Sequence, residues 1–119
     1  MEIQRQNGTL SVRGLRDLSA ASAHAFRDAV GASITPDLAR IEIDLSATGL
    51  VDCRGCGALL SLYQTANKIN RNGGVTLRLL NPRPPVRQLF ELTRMQHLFE
   101  IVPAKADNIP AEQLISKPA

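Results

Sequence analysis

Tryptophan is missing from this chain of 119 residues, and tyrosine and phenylalanine together supply only four side chains. That scarcity argues against a stacking platform for single-stranded nucleic acid, although the net charge of +3 invites one. The arginines do not rescue the idea, because Arg5, Arg13, Arg27, Arg54, Arg71, Arg78, Arg87 and Arg94 are scattered rather than clustered. No nucleic-acid partner is expected. Cysteine is equally sparse: the two residues, Cys53 and Cys56, stand three apart and cannot staple a fold. No apolar run approaches the length of a membrane span and no basic-then-apolar leader follows Met1, so the expected compartment is the cytoplasm. The third glycine of a dinucleotide fingerprint is absent, since Leu60 stands there, and no Lys-Ser/Thr pair marks a phosphate-cradling loop. His24 and His97 lie far apart without ligand spacing, so neither a metal nor a cofactor is expected. No nucleophile, base and orienting group can be assembled from spacing, and no catalytic residue is assigned.

What is present is a regular alternation of elements. Asn7-Gly8 between Met1 to Gln6 and Thr9 to Arg13 predicts a tight β-hairpin. Asp17 or Ser19 is expected to cap a first helix with Ala25, Phe26, Ala29 and Val30 inward, ending near Gly31. Arg40 to Leu45 reads as a strand, followed by a polar loop from Ser46 to Gly49 whose Ser46 and Thr48, with Arg54, suggest a solvent-facing rim. A second helix is expected from about Cys53 to Asn72, buried through Cys56, Leu59, Leu60, Tyr63, Ala66 and Ile69 and stopped by left-handed geometry at Gly73-Gly74. Val75 to Leu80 is a strand. Pro84-Pro85 preset a third helix with Val86, Leu89, Phe90 and Thr93 inward, and Leu98 to Val102 is a last strand. Helices between strands demand right-handed crossovers and parallel pairing, so an α/β mixed sheet follows, with an opening β-hairpin and helices packed on it. Residues 1–103 form the domain. Residues 104–119 are a tail in which Ile109, Leu114 and Ile115 could dock as a short helix.

The most informative stretch is Asp52-Cys53-Arg54-Gly55, where a thiol is placed among the unpaired N–H groups of a helix start. Such a start can hold an anion or activate a sulfur. Cys53-Arg54-Gly55-Cys56 also spells a C-x-x-C, which keeps a thiol redox reading open. Against it, Asp52 opposes thiolate formation, and Cys56 falls on the apolar stripe of its helix. Arg83, Arg87 and Arg94, with Glu91 among them, read as a solvated face of the third helix.

Two longer stretches carry a resemblance. The segment D-x-x-G-x-G-A-L from Asp52 to Leu59, and Leu80-Asn81-Pro82 followed by V-R-x-L-x-E-L-T up to Thr93, closely resemble the STAS domain, specifically the free-standing anti-sigma factor antagonists of bacteria. The similarity runs from the hairpin to about Val102. It implies a regulatory module, not an enzyme, which docks an anti-sigma factor or kinase-fold protein through a surface around Asp52, Cys53, Arg54 and Gly55; Asp17 is added to that surface only because it is expected to begin the first helix after the hairpin and to share the same rim. It also implies a partner kinase that phosphorylates a Ser or Thr after the aspartate and so causes release. This chain departs there: Cys53 occupies the phosphorylation position and is expected to stay unmodified. It departs again at Arg94, where the family often has glycine. Three roles fit the departure: a domain held permanently in its binding form, one switched by thiol oxidation, or the STAS subunit of a lipid-transporting ABC complex. A homodimer is compatible with all three.

Overall fold

The computed structural model describes residues 1–70 and 74–103. The hairpin forms as the dipeptide demands. β1 (Glu2–Gln6) and β2 (Thr9–Arg13) pair antiparallel, and Asn7 and Gly8 both take positive φ, 53° and 79°. The remaining elements are β3 (Asp17–Leu18), α1 (Ala23–Gly31), β4 (Arg40–Asp44), β5 (Leu50–Val51), α2 (Cys53–Ile69), β6 (Thr76–Leu80), α3 (Pro84–Leu92), a 3-10 turn (Met95–His97) and β7 (Glu100–Val102). The main sheet has five strands in the order β1-β2-β4-β6-β7, parallel at every junction after the hairpin. This is the mixed α/β fold that the alternation of elements implies.

The sheet sorts its residues by parity. Leu10 and Val12 on β2, Ile41 and Ile43 on β4, and Leu77 and Leu79 on β6 stand in register and are buried. The helices close over that face with Phe26 and Val30 from α1, Leu59, Leu62 and Ala66 from α2, and Val86 and Phe90 from α3. The opposite face is charged. Arg78 lies 2.9 Å from Glu42 and 3.0 Å from Glu100, and Arg40 lies 3.6 Å from Glu42, an ion-pair row across β4, β6 and β7.

Several expectations change on contact with the structure. Asp17 does not open α1; it lies on β3, and the helix starts at Ala23 with Ser22 as its N-cap. Ala25 is exposed, because the narrow contact of α1 admits little beyond Phe26 and Val30. On α2, Leu62 joins the buried stripe while Ile69 faces outward. The helix also ends earlier than expected, without a left-handed residue among those described. Asn70 turns extended (φ −65°, ψ 129°), donates its side-chain amide to the Leu38 carbonyl and accepts from the Gly74 N–H at 3.1 Å. Gly73 lies outside the described residues, as do Ile109, Leu114 and Ile115. Thr93 is the exposed C-cap of α3 rather than part of its inner face. Arg94 then adopts φ 62°, a left-handed conformation that suits glycine better than arginine.

The main departure is a pair of strands too short to leave a pattern. β3 and β5 form a separate parallel pair, Asp17 opposite Leu50 and Leu18 opposite Val51. This small pair ties the approach to α1 to the approach to α2.

Candidate functional site

The loop after β4 is held by its own first residues. Asp44 accepts the Ser46 N–H at 2.9 Å, and the Thr48 N–H donates to the Leu45 carbonyl at 3.0 Å. Thr48 is no rim residue: it is fully buried, with its hydroxyl donating to the Leu15 carbonyl at 2.5 Å. Its polarity satisfies a buried backbone acceptor rather than water. Ser46 and Arg54 do face solvent, and the Arg83 guanidinium donates to the Ser46 carbonyl at 3.0 Å. The Gly49 N–H reaches the Arg16 carbonyl at 2.9 Å, and the Asp52 N–H reaches the Leu18 carbonyl at 3.2 Å, framing the β3–β5 pair.

Asp52 caps α2 from extended backbone. One carboxylate oxygen accepts the Gly55 N–H at 2.9 Å and the other accepts the Ala20 N–H at 3.0 Å, 32 residues away in sequence. These donors, Gly55 first and Ala20 next, hold its pKa below the usual aspartate value. The anion-holding capacity of the helix mouth is therefore occupied by the chain's own carboxylate.

Gly55 is buried directly beneath β3. A Cβ placed on it would sit 1.9 Å from the Leu18 carbonyl oxygen, so only glycine lets helix and strand approach this closely. Its place in the motif is thus explained by backbone packing. Cys53, the first residue of α2, is exposed, whereas Cys56 is buried in the core with its thiol pushed up by that burial. The two sulfurs of the C-x-x-C occupy opposite environments, and the buried one is disfavoured as a thiolate.

Of the residues expected at the surface, Asp52, Cys53, Arg54 and Gly55 form one continuous helix start. Asp17 stands on the neighbouring β3, half-buried opposite Leu50, which is 54% exposed. Sequence reasoning missed Leu50, and it missed the cleft between the starts of α1 and α2, where Ala20, Ala23, His24, Arg27 and Gly57 join Cys53 and Arg54. No local pattern identifies these residues, since the Ala20 N–H to Asp52 contact that aligns the two helix starts is purely tertiary. His24 pairs with Asp28 at 3.1 Å along α1, and His97 lies in the 3-10 turn. Among the described residues, no helix is long and apolar enough to cross a membrane.

The family model for the STAS domain matches residues 1–108. Among curated proteins, none matches this chain. Solved structures do. A Thermotoga maritima protein provisionally assigned as an anti-sigma factor antagonist superposes with a TM-score of 0.74 at 16% identity, covering 98% of this chain and 94% of its own. An anti-sigma factor antagonist from Mycobacterium paratuberculosis gives 0.71 at 23% identity, with 94% and 92% covered. The anti-sigma factor antagonist SpoIIAA, a Bacillus protein, gives 0.63 at 18% identity in its unphosphorylated form, with 96% and 98% covered. SpoIIAA is also known in a phosphorylated form.

Proposed function

This chain belongs to the STAS domain family, and we propose that it is a regulatory docking domain of the anti-sigma factor antagonist type. Its partner is an anti-sigma factor with a kinase fold, bound through the start of α2 and the adjoining β3–β5 edge. The observation that carries this reading is the position of Cys53: exposed, at the first residue of α2, beside a capping carboxylate already engaged by two backbone donors. A hydroxyl at that point would be open to a kinase, and a phosphate there would add about −1.5 to −2 charges to a surface meant for contact. A thiol offers a hydroxyl-directed kinase no such acceptor. The domain therefore keeps its docking surface and loses the release step.

The geometry also sorts the members of that surface. Cys53 and Arg54 are exposed and can be touched, while Asp52 and Gly55 shape the surface by holding α2 against β3. Charge reversal at Asp52 would therefore test folding before it tested docking, and Cys53→Glu is the cleaner probe. The decisive experiment is incubation with the cognate kinase-fold partner and ATP, followed by intact-mass spectrometry. The native chain stays unmodified and bound, Cys53→Ser gains one phosphate and dissociates, and Cys53→Glu does not bind. Stoichiometric phosphorylation of the native chain would refute the lost switch.

A further inference from the structure

α2 carries two glycines two positions apart, and the structure accounts for only one of them. Gly55 is required by the Leu18 carbonyl, whereas a Cβ on Gly57 would meet no heavy atom within 4 Å. Gly57 is exposed, has no positive φ and lies inside a helix of 17 residues, where alanine would be the better helix former. Nothing within the described fold uses the space it leaves.

That space belongs to the cleft between the starts of α1 and α2. Small residues, Ala20, Ala23 and Gly57, line it together with Arg27 and Arg54. Among the described residues neither arginine forms an ion pair. Two acids stand outside that lining: Asp52 accepts the Ala20 and Gly55 N–H groups and interacts electrostatically with Arg54, and Asp28 lies 3.1 Å from His24. The cleft thus combines room for a side chain with a lining that carries two guanidinium groups and no carboxylate, and Cys53 lines it too.

We infer that this cleft receives an acidic segment of the partner protein, which seats an apolar side chain over Gly57 and places carboxylates against Arg27 and Arg54. The inference rests on the docking reading above and adds to it a location on α1 and a charge for the partner. The missing Cβ gives the seated side chain its depth. Electrostatic complementarity brings the segment in and sets its register.

The probe is the protein that the native chain captures and Cys53→Glu does not, purified and titrated calorimetrically against each variant. Gly57→Leu fills the cleft without touching the core; it keeps the native circular dichroism, melts no lower than the native chain, and weakens binding by about tenfold or more. Arg27→Glu, a surface change on the other helix, weakens binding by a similar factor and flattens its dependence on salt. Folded Gly57→Leu and Arg27→Glu chains that both bind within about twofold of the native chain overturn the cleft while leaving the docking reading standing. Failure of the native chain to capture any protein that Cys53→Glu releases overturns both.

Discussion

α1 and α2 begin side by side, joined by the Ala20 N–H to Asp52 hydrogen bond of 3.0 Å, yet they are closed by different means. At α2 a carboxylate does the work: Asp52 satisfies an amide of its own helix and one from the approach to α1. At α1 the cap residue Ser22 makes no side-chain bond to its helix. Its hydroxyl instead accepts the Ser19 N–H and donates to the Asp17 carbonyl, both at 3.1 Å, while the Ser19 carbonyl accepts the N–H groups of Ser22 and Ala23. One start is anchored by charge across the fold and the other by local backbone. The junction of the two helix starts is therefore held chiefly from the α2 side. Asp52 links the approach to α1 to the helix start that bears Cys53.

That comparison can be broken most forcefully at Gly55. Gly55→Ala drives a methyl into the Leu18 carbonyl and should cost about 3 kcal/mol or more, seen as a lower urea midpoint. Little effect would mean that β3 can withdraw from α2 and that the two helix starts are not locked together. Next in size is the contrast between caps. Asp52→Ala should lower the melting temperature more than Ser22→Ala, for which the loss of local hydrogen bonds is worth about 1 kcal/mol.

Proton linkage sharpens the same contrast. The Asp52 pKa is depressed in the folded chain, so the unfolded chain binds its proton first as pH falls. Its contribution is complete above the unfolded value of about 3.9 and disappears as pH drops through the lower folded value. Denaturation midpoints between neutral and strongly acidic pH should therefore fall more steeply for the native chain than for Asp52→Asn. Equal slopes would contradict the role given to the carboxylate. The smallest effect is a gain: Gly57→Ala, free of contacts, should stabilise the fold by about 0.5–1 kcal/mol. A loss there would show that the space above Gly57 is not open.

Much of this architecture was readable from local chemistry. Asn7-Gly8 names its turn because few other residues tolerate two positive φ angles, and Asp52 names a helix start because a short carboxylate suits orphan amides. Alternation along Ile41, Ile43 and Leu45, and along Val75, Leu77 and Leu79, gave the buried face of the sheet correctly, since a strand exposes every second residue to one side. β3 and β5 escaped notice because two residues cannot display a period, and with them went the true start of α1. Thr48 misleads for a related reason. A hydroxyl reads as a surface group until a buried carbonyl, here that of Leu15, is found waiting for it.

Local sequence was enough to show that an aspartate, Asp52, opens α2 and that a cysteine, Cys53, follows it. The apolar stripe of α2 already foretold the burial of Cys56, but tertiary packing left the Cys53 sulfur exposed and made Gly55, not Gly57, compulsory. It alone brought Ala20 and Arg27 to the same cleft. The reason is physical: caps, turns and periodicities act over a few residues, whereas exposure and close approach depend on which distant backbone passes overhead.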